Sequence, residues 1–137
     1  MLNVTETGSL ETSSLQLPVE IVSQLTQLNV AVQAMAREPA IALDTESNSF
    51  HHYPEQLCLI QIATRHKVYI IDTIALKDIA PLKEVLIDDS IEKVVHGADY
   101  DIRSLDRHCG FYIRNLYDTN IAARFAGMTR VSLGALI

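Results

Sequence analysis

Apolar residues recur along this chain with two different periods, and the switches between them divide it into strands and helices. Residues 1–17 are rich in Ser, Thr and Glu and sustain no period, which predicts a mobile tail ahead of a domain over 18–137. Val19–Val22 reads as a short edge strand. Leu28, Val32 and Met35 then fall at i, i+4 and i+7, one helical face that ends near Arg37 before Glu38-Pro39. Ala40–Asp44 is a short apolar strand. Leu57–Thr64 and Lys67–Asp72 are two further strand patterns, joined through Arg65-His66 as a two-residue hairpin without the favoured glycine. Ile79, Leu82, Val85 and Leu86 mark the next helix, with Pro81 in its first turn. Lys93–Val95, Asp99–Cys109, Asn115–Tyr117 and Thr119–Phe125 continue as strand, helix, strand and helix. Hairpin strands followed by strands alternating with helices predict an α/β fold, a mixed sheet with helices on its faces.

The polar residues that interrupt this pattern carry the chemistry. Asp44 and Glu46 stand two apart at the end of an apolar strand, so they project to one side if the strand persists. Two like charges held together need neutralising, and a hard divalent cation such as Mg²⁺ does so through carboxylate oxygens. With 9 Asp and 8 Glu in the chain, about half an Asp-x-Glu triplet arises by chance, so the triplet needs context. Context comes at His96-Gly97-Ala98, a tight turn between a strand and a helix. Asp99 is a candidate N-cap there, and Ile102, Leu105 and Cys109 form an apolar stripe ending before Gly110. Asp101 then sits in the first helical turn, where the helix dipole favours an ionised carboxylate. If the two strands are neighbours, Asp44, Glu46 and Asp101 converge on one cleft.

Other polar residues admit two readings each. Asp99 and Asp118 are helix caps first, with a supporting role beside the acids as the alternative. His96 ends a strand as a hydrogen-bonded structural residue, or else touches substrate. Phe50, His51, His52 and Tyr53 lie in a polar-aromatic loop next to the acids, either simply exposed or stacking on a terminal base. Arg103 and Arg107, one helical turn apart, make a solvated face or contact phosphate. The two histidines of the loop are not at metal-ligand spacing with any cysteine, which argues against zinc.

Bulk properties narrow the class. One domain of 137 residues with 48% hydrophobic content can bury a core. A net charge of −6 counts against a protein that grips long stretches of phosphate backbone, but not against one that handles a strand end at an acidic metal site. Cys58 and Cys109 form no framework and read as reduced, which together with the lack of a basic apolar leader or a membrane-length run predicts the cytoplasm.

Three ordered motifs give the chain a family resemblance. Ile41-Ala-Leu-Asp-Thr-Glu46 followed by Pro54-Glu-Gln-Leu-Cys-Leu-Ile-Gln-Ile62 resembles the first exonuclease motif of the ribonuclease D family. His96-Gly-Ala-Asp-Tyr-Asp-Ile-Arg-Ser-Leu105 resembles its second motif, and Leu116-Tyr-Asp-Thr-Asn-Ile-Ala-Ala-Arg124 the segment that follows. The same features mark the nuclear exosome's 3′–5′ exoribonuclease and RecQ-associated exonucleases. The resemblance, running from about Glu20 to Ile137, implies an RNase H-like fold. It implies hydrolysis of single-stranded nucleic acid, RNA in the first place, from its 3′ end to nucleoside 5′-monophosphates by two Mg²⁺ or Mn²⁺ ions. It assigns Asp44, Glu46 and Asp101 as metal ligands. The family's fourth acid lies in a later Tyr-x-x-x-Asp helix motif, and none follows Asp118 here. Ser132-Leu-Gly-Ala-Leu-Ile137 reads as the opening turn of a helix, so the expectation is a C-terminally incomplete domain, inactive alone, with apolar surface left exposed. Two other readings stand beside this one: a non-catalytic nucleic-acid-binding module of the same fold, and an α/β protein-interaction domain whose acids are incidental.

Overall fold

A computed structural model describes residues 16–48 and 54–137. The tail expected over 1–17 therefore lies outside the described residues except for Gln16 and Leu17. Six strands, β1 (Val19–Val22), β2 (Ala40–Asn48), β3 (Gln56–Ala63), β4 (Val68–Asp72), β5 (Glu92–Val95) and β6 (Leu116–Asp118), form one sheet in the order β1-β4-β3-β2-β5-β6. β2, β3 and β4 are antiparallel neighbours, while β1 lies parallel to β4 and β5 and β6 continue parallel beyond β2. The helices are α1 (Leu25–Met35), α2 (Thr73–Leu76), α3 (Leu82–Ile87), α4 (Asp99–Cys109), α5 (Thr119–Phe125) and α6 (Leu133–Leu136). The mixed sheet with flanking helices is the architecture that the periodicity predicts.

The core lies on one face of the sheet. Ile41 and Leu43 of β2, Ile60 and Ile62 of β3 and Ile71 of β4 pack there with Leu28, Val32 and Met35 of α1, Leu82 and Leu86 of α3 and Leu105 of α4. Each such side chain, fully withdrawn from water, contributes about 1.5–3 kcal/mol. The helical face read from Leu28, Val32 and Met35 is the buried one. On the opposite face Val19, Ile21, Ala42, Asp44 and Glu46 are exposed.

Local hydrogen bonding explains the joints. The hairpin at Arg65-His66 closes without glycine because the Thr64 hydroxyl accepts from the amides of His66 (3.2 Å) and Lys67 (3.1 Å), while Thr64 N donates to the Lys67 carbonyl at 2.9 Å. The Asp72 carboxylate accepts from Ile74 N and Ala75 N and starts α2, a short helix that the periodicity does not predict. β2 also runs beyond the expected end at Asp44 to Asn48, because its ladder with β3 continues through both acids. The ladder slips after Glu46: Glu46 opposes Leu59 and Ser47 opposes Leu57, leaving Cys58 as a bulge. Such a bulge reverses the alternation, so Leu57 is buried although it is two residues from the half-exposed Leu59.

Candidate active site

Strict alternation along β2 turns Ile41, Leu43 and Thr45 inward and Asp44 and Glu46 outward, on the same side as each other. Neither carboxylate has a hydrogen-bond or ion-pair partner among the described residues. A cavity of about 530 Å³ on this face is lined by Asp44, Gln61, His96, Thr119 and Leu133.

Asp101 reaches the same strand from α4. Its Oδ1 accepts from the Thr45 amide at 2.9 Å and from the Thr45 hydroxyl at 2.6 Å, so the third acid is anchored on the residue between the other two. This corrects the expected helix face. α4 buries Asp101, Ser104 and Leu105, whereas Ile102 of the anticipated stripe is 36% exposed and Cys109 is half-buried. Docking of the acid onto Thr45 outweighs burial of Ile102 in setting the helix rotation. Thr45 is the site residue that sequence reasoning missed, although an inward-facing hydroxyl after Ile41 and Leu43 is its signal.

Burial raises the Asp101 carboxyl above its ordinary range. The Thr45 hydroxyl opposes that shift, and the negative charge of Asp44 reinforces it. The two carboxylates are thus near enough to repel one another. Among the described residues, no three His, Cys, Asp or Glu side chains are gathered closely enough to hold a metal ion as they stand. The donors nevertheless suit a hard divalent cation: they are all carboxylate oxygens, and among the described residues two of the three groups are unpaired and no cation offsets their mutual charge.

The turn that carries α4 is held from β6. Asp99 is the first helical residue rather than the N-cap; Ala98 occupies the cap position without a side-chain bond, and Asp99 instead pairs with Arg103 at 2.6 Å. The turn ahead of the helix is held from the neighbouring strand, where the Asp118 carboxylate accepts from Gly97 N (3.0 Å) and Ala98 N (2.7 Å). Gly97, at φ 71°, bends the backbone so that both amides point to that carboxylate. Asp118 also accepts from Asn120 N and Ile121 N, capping α5 as its position predicts. Desolvation would raise the Asp118 carboxyl, but the four backbone N–H groups prevail and hold it below its ordinary range.

A depressed folded pKa contributes stability that is complete above the unfolded value, near pH 4, and is lost as pH falls through the folded value. Asp118→Asn is therefore expected to be less stable than the parent at pH 7 and to lose less on acidification from pH 5 to 2. Thermal melts across that range provide the check, and parallel curves would assign no such role to the carboxylate.

The remaining candidates are placed as follows. His96 Nδ1 shares a hydrogen bond of 2.8 Å with the Thr119 hydroxyl, which also lies 3.3 Å from the Val95 carbonyl. That is a structural bond, and it leaves the other ring nitrogen for further contacts. Arg103 is engaged by Asp99, and Arg107 pairs with Glu55 at 3.1 Å, to which the Tyr100 hydroxyl also donates. Phe50, His51, His52 and Tyr53 lie outside the described residues.

Comparison with known proteins agrees with this architecture. A family model described as 3′-5′ exonuclease matches residues 19–137. The "Exosome complex component 10 homolog" of Drosophila melanogaster is 39% identical over 118 residues, covering 85% of this chain and 13% of that protein. The human "Exosome complex component 10" is 38% identical over 121 residues, covering 88% of this chain and 14% of the relative. Among solved structures, Escherichia coli RNase D, described as an exoribonuclease involved in structured RNA processing, superposes with a TM-score of 0.77 at 33% identity. That match covers 82% of this chain and 30% of RNase D. The catalytic core of RRP6 from Trypanosoma brucei gives 0.76 at 33% identity, covering 88% and 34%. The chain thus spans only a small part of its curated relatives and about a third of these solved chains.

Proposed function

Because this chain belongs to the 3′–5′ exonuclease family, we propose that Asp44, Glu46 and Asp101 form the acidic site of an exoribonuclease, one that shortens single-stranded RNA from its 3′ end and releases nucleoside 5′-monophosphates. The observation that carries this reading is the seat of Asp101 on Thr45, between Asp44 and Glu46. The RNase D and exosome relatives favour RNA over DNA as the substrate.

Asp44, Glu46 and Asp101 are the residues that would hold two Mg²⁺ or Mn²⁺ ions. When bound, such ions lower the pKa of an attacking water and stabilise charge on the departing 3′ oxygen. The chain's own part is to position and to charge the site. Thr45 fixes the Asp101 rotamer through two hydrogen bonds, and these oppose the upward shift that burial imposes on its carboxyl. Asp118 holds the Gly97-Ala98 turn from which α4 departs. The unpaired Asp44 and Glu46 keep their oxygens available on the open face, beside the cavity that would admit the strand end. No protein nucleophile is required. No helix among the described residues is long and apolar enough to cross a membrane.

The sequence offers no Tyr-x-x-x-Asp after Asp118, so the test pairs this chain with a version joined to the segment that follows in its relatives. Each is given single-stranded RNA labelled at the 5′ end, with Mn²⁺ or with EDTA. The expected result is stepwise shortening from the 3′ end, dependent on Mn²⁺ and far faster in the joined protein. Internal cleavage would remove the exonuclease reading, and tight RNA binding without hydrolysis in both proteins would favour a non-catalytic module.

A further inference from the structure

The opposite end of α4 borders a second, open cavity of about 370 Å³, lined by the start of β3, the turn after α2 and the last helical turn. Its volume lies at the low end of the range of about 300–1,000 Å³ typical of small-ligand sites. Leu57, Ile79 and Phe111, all buried, supply apolar walls. Two polar residues of the lining, the part-buried His108 and the exposed Lys77, bear on what the cavity can take. His108 Nε2 is withdrawn from solvent and has no hydrogen-bond partner, the one such side-chain atom among the described residues. A buried polar atom left unpaired costs about 1–3 kcal/mol, so this ring nitrogen is poised to gain from a partner.

Lys77 is the second. It sits at φ 57°, ψ −41°, between Leu76 and Asp78, where the Asp78 amide closes back onto the Leu76 carbonyl. This is a γ-turn of the rare positive-φ kind, strained for a residue with a Cβ. Glycine would relieve that strain, yet the position holds a lysine with no ion pair among the described residues. The neighbouring Asp78 is taken up locally by Ala80 N at 2.9 Å.

An unpaired cation, an orphaned ring nitrogen and apolar walls in one small cavity match the phosphate, the polar edge and the flat face of the base in a nucleotide. We infer that this cavity binds one nucleotide unit, with the phosphate on Lys77, a polar edge of the base on His108 Nε2 and the base against Leu57 and Phe111. The identification of a nucleotide rests on the exonuclease reading. His108 lies seven positions after Asp101 along α4, a rise of about 10 Å, so the unit is either a released monophosphate or an upstream nucleotide of the same strand.

Binding is measured in EDTA, where no hydrolysis occurs, so failure of this inference leaves the exonuclease assignment standing and the reverse also holds. AMP, inorganic phosphate and a short oligoadenylate are titrated into the chain while the ¹⁵N–¹H signals of the His108 ring are followed. The expected result is saturable movement of those signals by AMP below millimolar concentration. Earlier saturation by the oligoadenylate assigns an upstream nucleotide as the natural occupant, and equal or later saturation assigns the free monophosphate. Lys77→Gly should weaken AMP at least tenfold while raising the melting temperature, a combination that a purely structural lysine would not give. Asp44→Asn should leave AMP binding unchanged. The inference is overturned if AMP does not move the His108 signals, if Lys77→Gly binds AMP as the parent does, if phosphate alone binds as well as AMP, or if Asp44→Asn abolishes binding.

Discussion

Asp44→Asn, in the protein joined to the downstream segment of its relatives, is expected to lower the rate of 3′-end shortening by about a thousandfold or more, roughly 4 kcal/mol of barrier. Folding should survive the change. Asp44 is exposed on the open face of β2 and has no partner among the described residues, so no native hydrogen bond is lost. Its charge moreover raises the Asp101 carboxyl, and replacing it by a neutral amide of the same shape relieves that repulsion. The variant should therefore melt no lower than the parent in EDTA, yet gain less thermal stability on addition of Mn²⁺. The paired readouts separate chemistry from folding. Turnover within tenfold of the parent, with Mn²⁺ still required, would place the ions on other groups.

Lys93→Met is expected to cost about 3 kcal/mol of stability, from the buried acceptors that it strands. Lys93 is fully buried in β5 on the core side of the sheet, and its ammonium donates to the carbonyls of Asp88 (2.6 Å), Ile91 (2.7 Å) and Val85 (3.3 Å). Those carbonyls lie within and after the last turn of α3, where a cation also complements the helix dipole. Burial lowers the lysine pKa, against the opposing influence of Asp88 and Asp89. Methionine matches the alkyl stem but leaves the acceptors without a donor. Arginine should not rescue, because a planar guanidinium cannot replace a compact ammonium among three converging carbonyls. The denaturation midpoint and slope measure the loss. A change within about 0.5 kcal/mol, the range typical of surface sites, would mean that water reaches these carbonyls.

Much of this protein is written in its residue order. Alternation along β2 placed Asp44 and Glu46 on one side, because strand periodicity is a local property of the backbone. The spacing of Leu28, Val32 and Met35 fixed the buried face of α1 for the same reason, and Asp118 before Thr119 marked the cap of α5. The mixed sheet followed from the order of hairpin and strand–helix units, and the motifs around Asp44, Glu46 and Asp101 carried the family.

Tertiary structure decided what depends on partners distant in the chain. The rotation of α4 could not be read from Ile102, Leu105 and Cys109, because the hydrogen bonds from Thr45, 56 residues earlier, turn Asp101 inward instead. The Gly97 and Ala98 amides ahead of α4 are held by Asp118, a partner that nothing in the sequence around Asp99 names. A lysine in a short apolar strand carries no mark of burial, since only the approach of α3 supplies the carbonyls that hold Lys93. The orphaned His108 ring nitrogen and the strained turn at Lys77 belong to the same class. Periodicity describes a residue against its own element, whereas burial without a partner exists only once separate elements have closed around an atom.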